Sequence, residues 1–537
     1  MIGLDGASLG VVRSLAAAGR LPNLARWMNE GEAGLLASTT PPASFPAWSS
    51  FLTGMGPGAH GIFDFTQKVE GAYRLRFVNA RDRAGRSLFA RVCEAGGSVL
   101  ALGMPATAPA EPVRGLLVPG FDAPVSAGSS AGAASDPALY REIAERTGPW
   151  MTADLDESAR GEGWHERAAP LLVERVARKT RFATEAIRRL RAAGRGPDLA
   201  CVVFSESDTA GHHFWRDFDA GSPRHDPGAS AIRRGAIAAV YEALDAACGE
   251  LRAAFGDDAL CVVMSDHGMG GASHRVVHLN RHLEECGLLR RARGGTGLDA
   301  LARGVRAAAL RALPPRVAQA AFRRARGAAA RVESAARFAG FDWRRTAAFC
   351  EEANTQPGVW LNLAGREAEG CVAQADRDRV LREVIDSLLA WKLPGGDAVV
   401  ARAAPREEVY AGPLADRAPD VVVELGLDAG YGLSLVPTRW SDASRSAVRV
   451  LEGEALAGGR GSGMNGTHRP DGVLLATGPG SEALAGVRAL SQLAPACLRA
   501  MGVAWADGDA VTGRPAPYTD EEAAEVAARL RALGYLE

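Results

Sequence analysis

The chain has 537 residues, 47% of them hydrophobic, so a sizeable core with insertions is expected rather than one minimal domain. With 62 Lys and Arg against 63 Asp and Glu, the net charge of −1 gives no general pull toward nucleic acid or anionic membrane. No nucleic-acid-binding module and no apolar run long enough to span a bilayer is visible.

The chain opens with Met1-Ile2-Gly3-Leu4-Asp5, which leaves a first strand of only three or four residues before Asp5-Gly6. A start clipped by some residues, with a leader ahead of it, therefore stays open beside the plain expectation of a cytoplasmic protein. A helix is predicted over residues 8–18, with Val11, Val12 and Leu15 on one face, and a second from Pro22 with Leu24, Trp27 and Met28 inward. Pro46 suits the first turn of a third helix, which runs to Leu52 and is stopped by Gly54, Gly56, Pro57 and Gly58. Strands are predicted at residues 98–102 and 116–118, and a Ser/Gly/Ala-rich surface loop at 127–135. Residues 174–193 read as a helix with Val176, Thr180, Ala183, Ile187 and Leu190 near one stripe, feeding a strand at 199–204.

Residues 230–255 form a long helical stretch with Ser230 as N-cap, followed by a buried strand ending at Met264. Residues 294–340 differ in composition. They are Ala/Arg-rich, with nine arginines against Asp299 and Glu333, and read as solvated helices broken at Pro314-Pro315; the sharper alternative is a basic face for an anionic substrate or a membrane surface. Strands resume at 359–363, 421–424 and 473–476, and Thr519-Asp520-Glu521-Glu522 is a capping box opening a C-terminal helix. The alternation of strand and helix predicts an α/β fold with three layers, α/β/α, around a mostly parallel sheet. The eight cysteines stand singly with no CxxC pair, which predicts reduced, buried thiols.

The chemistry gathers where strands end. Asp266-His267 follows the strand ending at Met264, and the carboxyl ends of strands are where open α/β sheets place their sites. Asp oxygen and His nitrogen are ligands for zinc or a similar transition metal. Asp5 follows the first strand in the same way. Asp208 and His212 follow the strand at 199–204, spaced to share one face of a helix. His468 precedes the late strand in Gly466-Thr467-His468-Arg469-Pro470-Asp471-Gly472. Each has a bland alternative: a turn for Asp5, a cap for Asp208, an exposed loop for His468. Ser44 stands just ahead of the Pro46 helix, where free N–H groups and the dipole favour an anion, or where it is simply an N-cap. Ser49 and Ser50 lie on the helix as structural residues. His213 competes with His212, and His274 and His278 follow the motif closely.

Together these stretches resemble the alkaline phosphatase superfamily, in its type I phosphodiesterase/nucleotide pyrophosphatase branch and near bacterial predicted phosphohydrolases or phosphomutases. The matching segments are Gly3-Leu4-Asp5-Gly6-Ala7, Pro46 to Gly54 with Gly61-Ile62-Phe63-Asp64-Phe65, Asp208 to Trp215, Ser265-Asp266-His267-Gly268, and Gly466 to Gly472. The resemblance implies two divalent metal ions, zinc with manganese as the alternative. Asp208, His212 and His468 would hold one; Asp5, Asp266 and His267 would hold the other, with Ser44 bridging toward it. Ser44 takes the nucleophile's place, ten residues before Gly54. Relatives in the diesterase branch carry Asn three residues after the nucleophile; Ala47 stands here and removes a donor, for which Thr40 or backbone N–H groups are the substitutes.

The implied activity is hydrolysis of a small-molecule phosphate mono- or diester through a phosphoserine intermediate. Two cations about 4 Å apart stabilise both attacking and leaving oxygens of such a displacement. A phosphomutase would use the same intermediate, and a non-catalytic metal-binding protein is the third reading. A sulfatase is disfavoured because Trp48 stands where C/S-x-P-x-R requires Arg. The implied organisation is a core over 1–290 and 396–510, a cap at 291–395, and a C-terminal helix at 511–537. Trp343, Phe349 and Trp360 are candidate substrate contacts in that cap. Leaving group and oligomeric state stay open.

Overall fold

A computed structural model describes residues 1–123, 130–151, 155, 163–292, 338, 340–352, 357–438, 446–459, 461–505 and 518–532. Seven strands make the central sheet, in the order Glu32–Ala37, Asp471–Thr477, Cys261–Met264, Ile2–Leu4, Leu199–Phe204, Val99–Met104, Gly115–Pro119. The last five named run parallel to one another. Asp471–Thr477 runs antiparallel to both its neighbours. Continuous apolar runs such as Leu-Ala-Cys-Val-Val-Phe make these strands, because both faces of the sheet are covered.

Alternate residues feed separate cores. Val202, Phe204 and Val263 pack with helices Leu9–Ala17, Trp164–Ala192 and Ala231–Phe255 on one face. Cys201, Val203, Val262 and Met264 pack with Ser44–Thr53, Leu88–Glu94 and Leu490–Ala500 on the other. The three-layer α/β/α arrangement expected from the sequence is the one observed. Register fixes where its chemistry emerges. Leu4 pairs with Phe204, and Gly3 with Met264, so three neighbouring strands end nearly level. Asp5, Ser205 and Ser265 then leave the sheet at one edge.

Two expectations change. The helix predicted from residue 174 begins at Trp164, ten residues earlier, and carries Pro170 inside it. Proline in its early turns is tolerated because the amphipathic stripe, with Ala168, Ala169 and Leu172 buried, carries on through it. The segment after His267 is the ten-residue strand Gly268–Val277, where the sequence reading places no strand. It pairs with Gly466–Arg469, Tyr431–Leu435 and Val448–Val450. Its glycines are required by close approach: a Cβ on Gly271 would lie 2.8 Å from Tyr431 and 2.9 Å from Trp215.

A separate antiparallel sheet joins Ala348–Cys350, Gly358–Leu361, Val421–Leu425 and Val400–Pro405. It draws two strands from either side of residue 395 and packs on helix Arg377–Ala390. The Arg-rich stretch lies, up to residue 337, outside the described residues, as does 127–129 of the Ser/Gly/Ala-rich loop. The C-terminal capping box is present: the Thr519 N–H donates to Glu522 Oε2 at 2.8 Å and the Glu522 N–H to Thr519 Oγ1 at 3.2 Å. All eight cysteines are free; five are buried, while Cys286 and Cys371 are exposed, against the expectation of burial. Among the described residues no helix is long and apolar enough to cross a membrane.

Candidate active site

Seven residues from distant parts of the chain meet at the level strand ends. Asp5 follows Ile2–Leu4, and Asp266-His267 follows Cys261–Met264. Asp208 and His212 sit one turn apart on helix Glu206–Phe218. His468 arrives on Gly466–Arg469, paired with Met269, which sets it beside His267. Ser44 is the first residue of Ser44–Thr53. All seven are buried.

The three imidazoles share one orientation. His212 Nδ1 lies 3.0 Å from the Gly466 carbonyl, His267 Nδ1 3.0 Å from the Gly268 carbonyl, and His468 Nδ1 2.8 Å from the Pro42 carbonyl. A carbonyl only accepts, so each Nδ1 carries the proton and the neutral ring presents an Nε2 lone pair. All three Nε2 atoms turn inward. His212 and His468 bring theirs to 3.0 Å of each other, with no proton available to share in that state. Asp208 Oδ1 lies 3.4 Å from the first and 3.5 Å from the second. A backbone partner fixing each ring from behind is the usual outer support of a metal-binding histidine.

The carboxylates complete the picture. His267 Nε2 is 3.6 Å from Asp5 Oδ1 and 3.4 Å from Asp266 Oδ2. Burial, and then the neighbouring charges of Asp266 and Asp208, push Asp5 well above the ordinary carboxyl value. Burial likewise raises Asp266 to about 8, with Asp208 adding to the rise. For Asp208 burial also favours the neutral acid, but His212 and His468, once protonated, outweigh it and hold the group well below its ordinary value. His267 is held well below the imidazole range by burial and by the facing His468. Asp266 Oδ2 is fully enclosed and accepts no hydrogen bond among the described residues. Converging lone pairs and crowded carboxylates are what a divalent cation satisfies, so this donor set fits one. Two trios qualify by proximity: Asp208 with His212 and His468, and Asp5 with Asp208 and His267.

Ser44 is not an N-cap. That position belongs to Ala43, and no side chain caps the helix. Its hydroxyl instead faces the cluster, donating to Asp5 Oδ1 at 3.4 Å, with His267 Nε2 at 3.5 Å. The Ser44 and Phe45 N–H groups of the first turn have no backbone acceptor among the described residues. They leave a helix start suited to an anion. One turn on, Trp48 Nε1 donates to Asp5 Oδ2 at 3.0 Å.

A family model described as Type I phosphodiesterase / nucleotide pyrophosphatase matches residues 1–431. The chain belongs to that family. As a member of it, the chain is a phosphoric ester hydrolase of the alkaline phosphatase superfamily, whose enzymes depend on divalent metals, typically zinc. Phosphonoacetate hydrolase from Sinorhizobium meliloti 1021 is similar in structure, with a TM-score of 0.52 at 16% identity over 94% of each chain. Murine ectonucleotide pyrophosphatase / phosphodiesterase 5 aligns over 94% of each chain at 12% identity, with a TM-score of 0.45, too loose to support a fold by itself. No curated protein matches the chain. The family match ends before His468, which the fold nonetheless brings to the site.

Other residues singled out from this phosphodiesterase-family sequence lie elsewhere. His213 is buried against Trp164, ring centres 5.1 Å apart, so His212 alone of the pair reaches the cluster. Ser50 meets His60 Nε2 at 2.9 Å inside the core. His278 Nδ1 is tied to the Val436 carbonyl at 3.1 Å, and half-buried His274 is not among the converging groups. Phe349 is fully buried, and Trp343 stacks on Tyr73 at 3.5 Å as packing. Trp360 lines a cleft with Thr40, Phe63, Asp64 and Tyr410. Two supports escaped the sequence reading: Trp48, noticed only for not being Arg, and Ser207, whose hydroxyl donates to the Asp5 carbonyl at 2.6 Å. A Trp one turn after a candidate nucleophile was the available signal for the first.

Proposed function

We propose that this chain hydrolyses a small-molecule phosphate mono- or diester at a two-metal site, with Ser44 as nucleophile and a phosphoserine intermediate. Asp208, His212 and His468 would hold one ion, and Asp5, Asp266 and His267 the other. Asp208 lies close enough to both groups to share its charge between them. Divalent ions bound there supply the positive charge that lowers the pKa of a hydroxyl and offsets charge on phosphoryl and leaving oxygens.

The chain's own residues do the rest. Ser44 Oγ forms the new bond to phosphorus while the ester oxygen departs with its electron pair. The Ser44 proton already points at Asp5 Oδ1. The first-turn N–H groups face where a phosphoryl oxygen would sit. Water then attacks phosphorus, the bond to Ser44 Oγ breaks, and the serine is restored. The observation that carries this reading is the Ser44 hydroxyl facing the buried cluster instead of capping its own helix. We assign the segments between His267 and His468 to a cap over the site. The free thiols fit a reducing, cytoplasmic setting.

Ser44→Ala tests the reading. Turnover of chromogenic mono- and diesters should vanish while bound metal stays near the wild-type content. Retained turnover would move the nucleophile elsewhere. Product formed in ¹⁸O-labelled water should carry the label; unlabelled phosphoryl returned to substrate would make the enzyme a mutase.

A further inference from the structure

We infer that Trp48 is a positioning residue for the Asp5 metal: its indole N–H claims one oxygen of Asp5 and so reserves the other for the ion and for Ser44. The inference rests on the two-metal reading above. Asp5 Oδ2 accepts from Trp48 Nε1 at 3.0 Å, while Oδ1 faces Ser44 Oγ at 3.4 Å and His267 Nε2 at 3.6 Å. The two oxygens therefore have separate duties. Ser44 and Trp48 are four residues apart on one helix, so a single helix face addresses both oxygens. Sliding or rotating that helix would move nucleophile and carboxylate together.

The indole is held rigidly enough for this. Trp48 is fully buried, with Phe51 edge-on at 5.9 Å between ring centres. Gly3, two residues before Asp5 on the strand, makes room for it: a Cβ there would stand 2.5 Å from Trp48 Cη2 and 3.0 Å from Val203. Only a residue without a side chain lets the ring lie against the strand whose end it steadies. Removing the N–H should free the Asp5 carboxylate to turn, and a loosened outer support typically costs about 10–100-fold in metal affinity.

The test is zinc titration of the full-length protein by calorimetry against a competing chelator, with the visible spectrum of the cobalt-substituted protein as a second readout. The wild type should bind two ions. In Trp48→Phe one of them should bind about 10–100-fold more weakly, with an altered cobalt spectrum, and the other should be unchanged. Gly3→Ala, which touches no ligand, should shift the same ion in the same direction. Leu52→Ala, on the same helix and fully buried, should lower the melting temperature yet leave both affinities intact. Two ions at wild-type affinity in folded Trp48→Phe would overturn the inference, as would equal loss in Leu52→Ala. A wild type that binds fewer than two ions would overturn the underlying reading, and this inference with it.

Discussion

The two halves of the cluster are built from different chemistry. Around Asp208 one carboxylate faces two imidazoles, His212 and His468, whose Nε2 atoms meet at 3.0 Å. Around His267 one imidazole faces two carboxylates, Asp5 and Asp266. The first half holds its carboxyl low; the second pushes both of its carboxyls up, by burial first and then by neighbouring carboxylate charge, that of Asp208 in both cases. Their construction differs too. Asp5 and Asp266 leave adjacent parallel strands in register, a rigid frame. Asp208 and His212 come from a helix turn, and His468 from the antiparallel partner of the strand that follows His267. The carboxylate-rich half is thus the one most in need of a cation, and it is the half that Ser44 faces.

Experiments can break this comparison, the strongest first. Ser44→Ala should lower kcat by at least about 10³-fold at unchanged metal content, measured by steady-state kinetics and elemental analysis. Asp5→Ala and His468→Ala should each lose about one ion per chain, but different ones. Loss of the same ion in both would merge the halves into one site. Chelation should lower the melting temperature, since an ion present at about 1,000 times its Kd stabilises the fold by about 4 kcal/mol.

The metal-free protein should also gain a pH dependence that the loaded protein lacks. Asp266 releases its proton near 8 in the fold, against an ordinary 3.8. The folded state then holds a proton that the unfolded chain has lost. Its contribution is complete below about 4 and disappears as pH rises through 8, while His267, held below the imidazole range, pulls the other way up to about 6.5; metal-free stability should therefore fall between about 6.5 and 8. Denaturant titration at several pH values checks this; a curve rising over the same window would refute it. The smallest effect is expected from Ser207→Ala, which removes one hydrogen bond to the Asp5 carbonyl: about 1 kcal/mol of stability, with metal affinity little changed.

The candidate site was legible because its parts carry local signals. Asp-x-x-x-His on a helix, Asp-His after an apolar strand and a serine ahead of Pro46 each announce themselves by residue type and spacing. Their convergence follows from strand register, which periodicity alone does not reveal. Less legible was Gly268–Val277, whose glycines imitate a loop until Tyr431 and Trp215 are seen pressed against them. The start of the Trp164–Ala192 helix was hidden by Pro170, a residue that ordinarily ends helices. Trp48 was hidden because an indole reads as core, and its single polar atom acts only through a strand far away in sequence.

The most direct test of the central claim is anomalous diffraction at the zinc edge from crystals of zinc-loaded protein. Two peaks per chain are predicted, one at the Nε2 atoms of His212 and His468 with Asp208, the other between Asp5, Asp266 and His267 and facing Ser44 Oγ. A single peak, or a second one away from Ser44, would contradict the account.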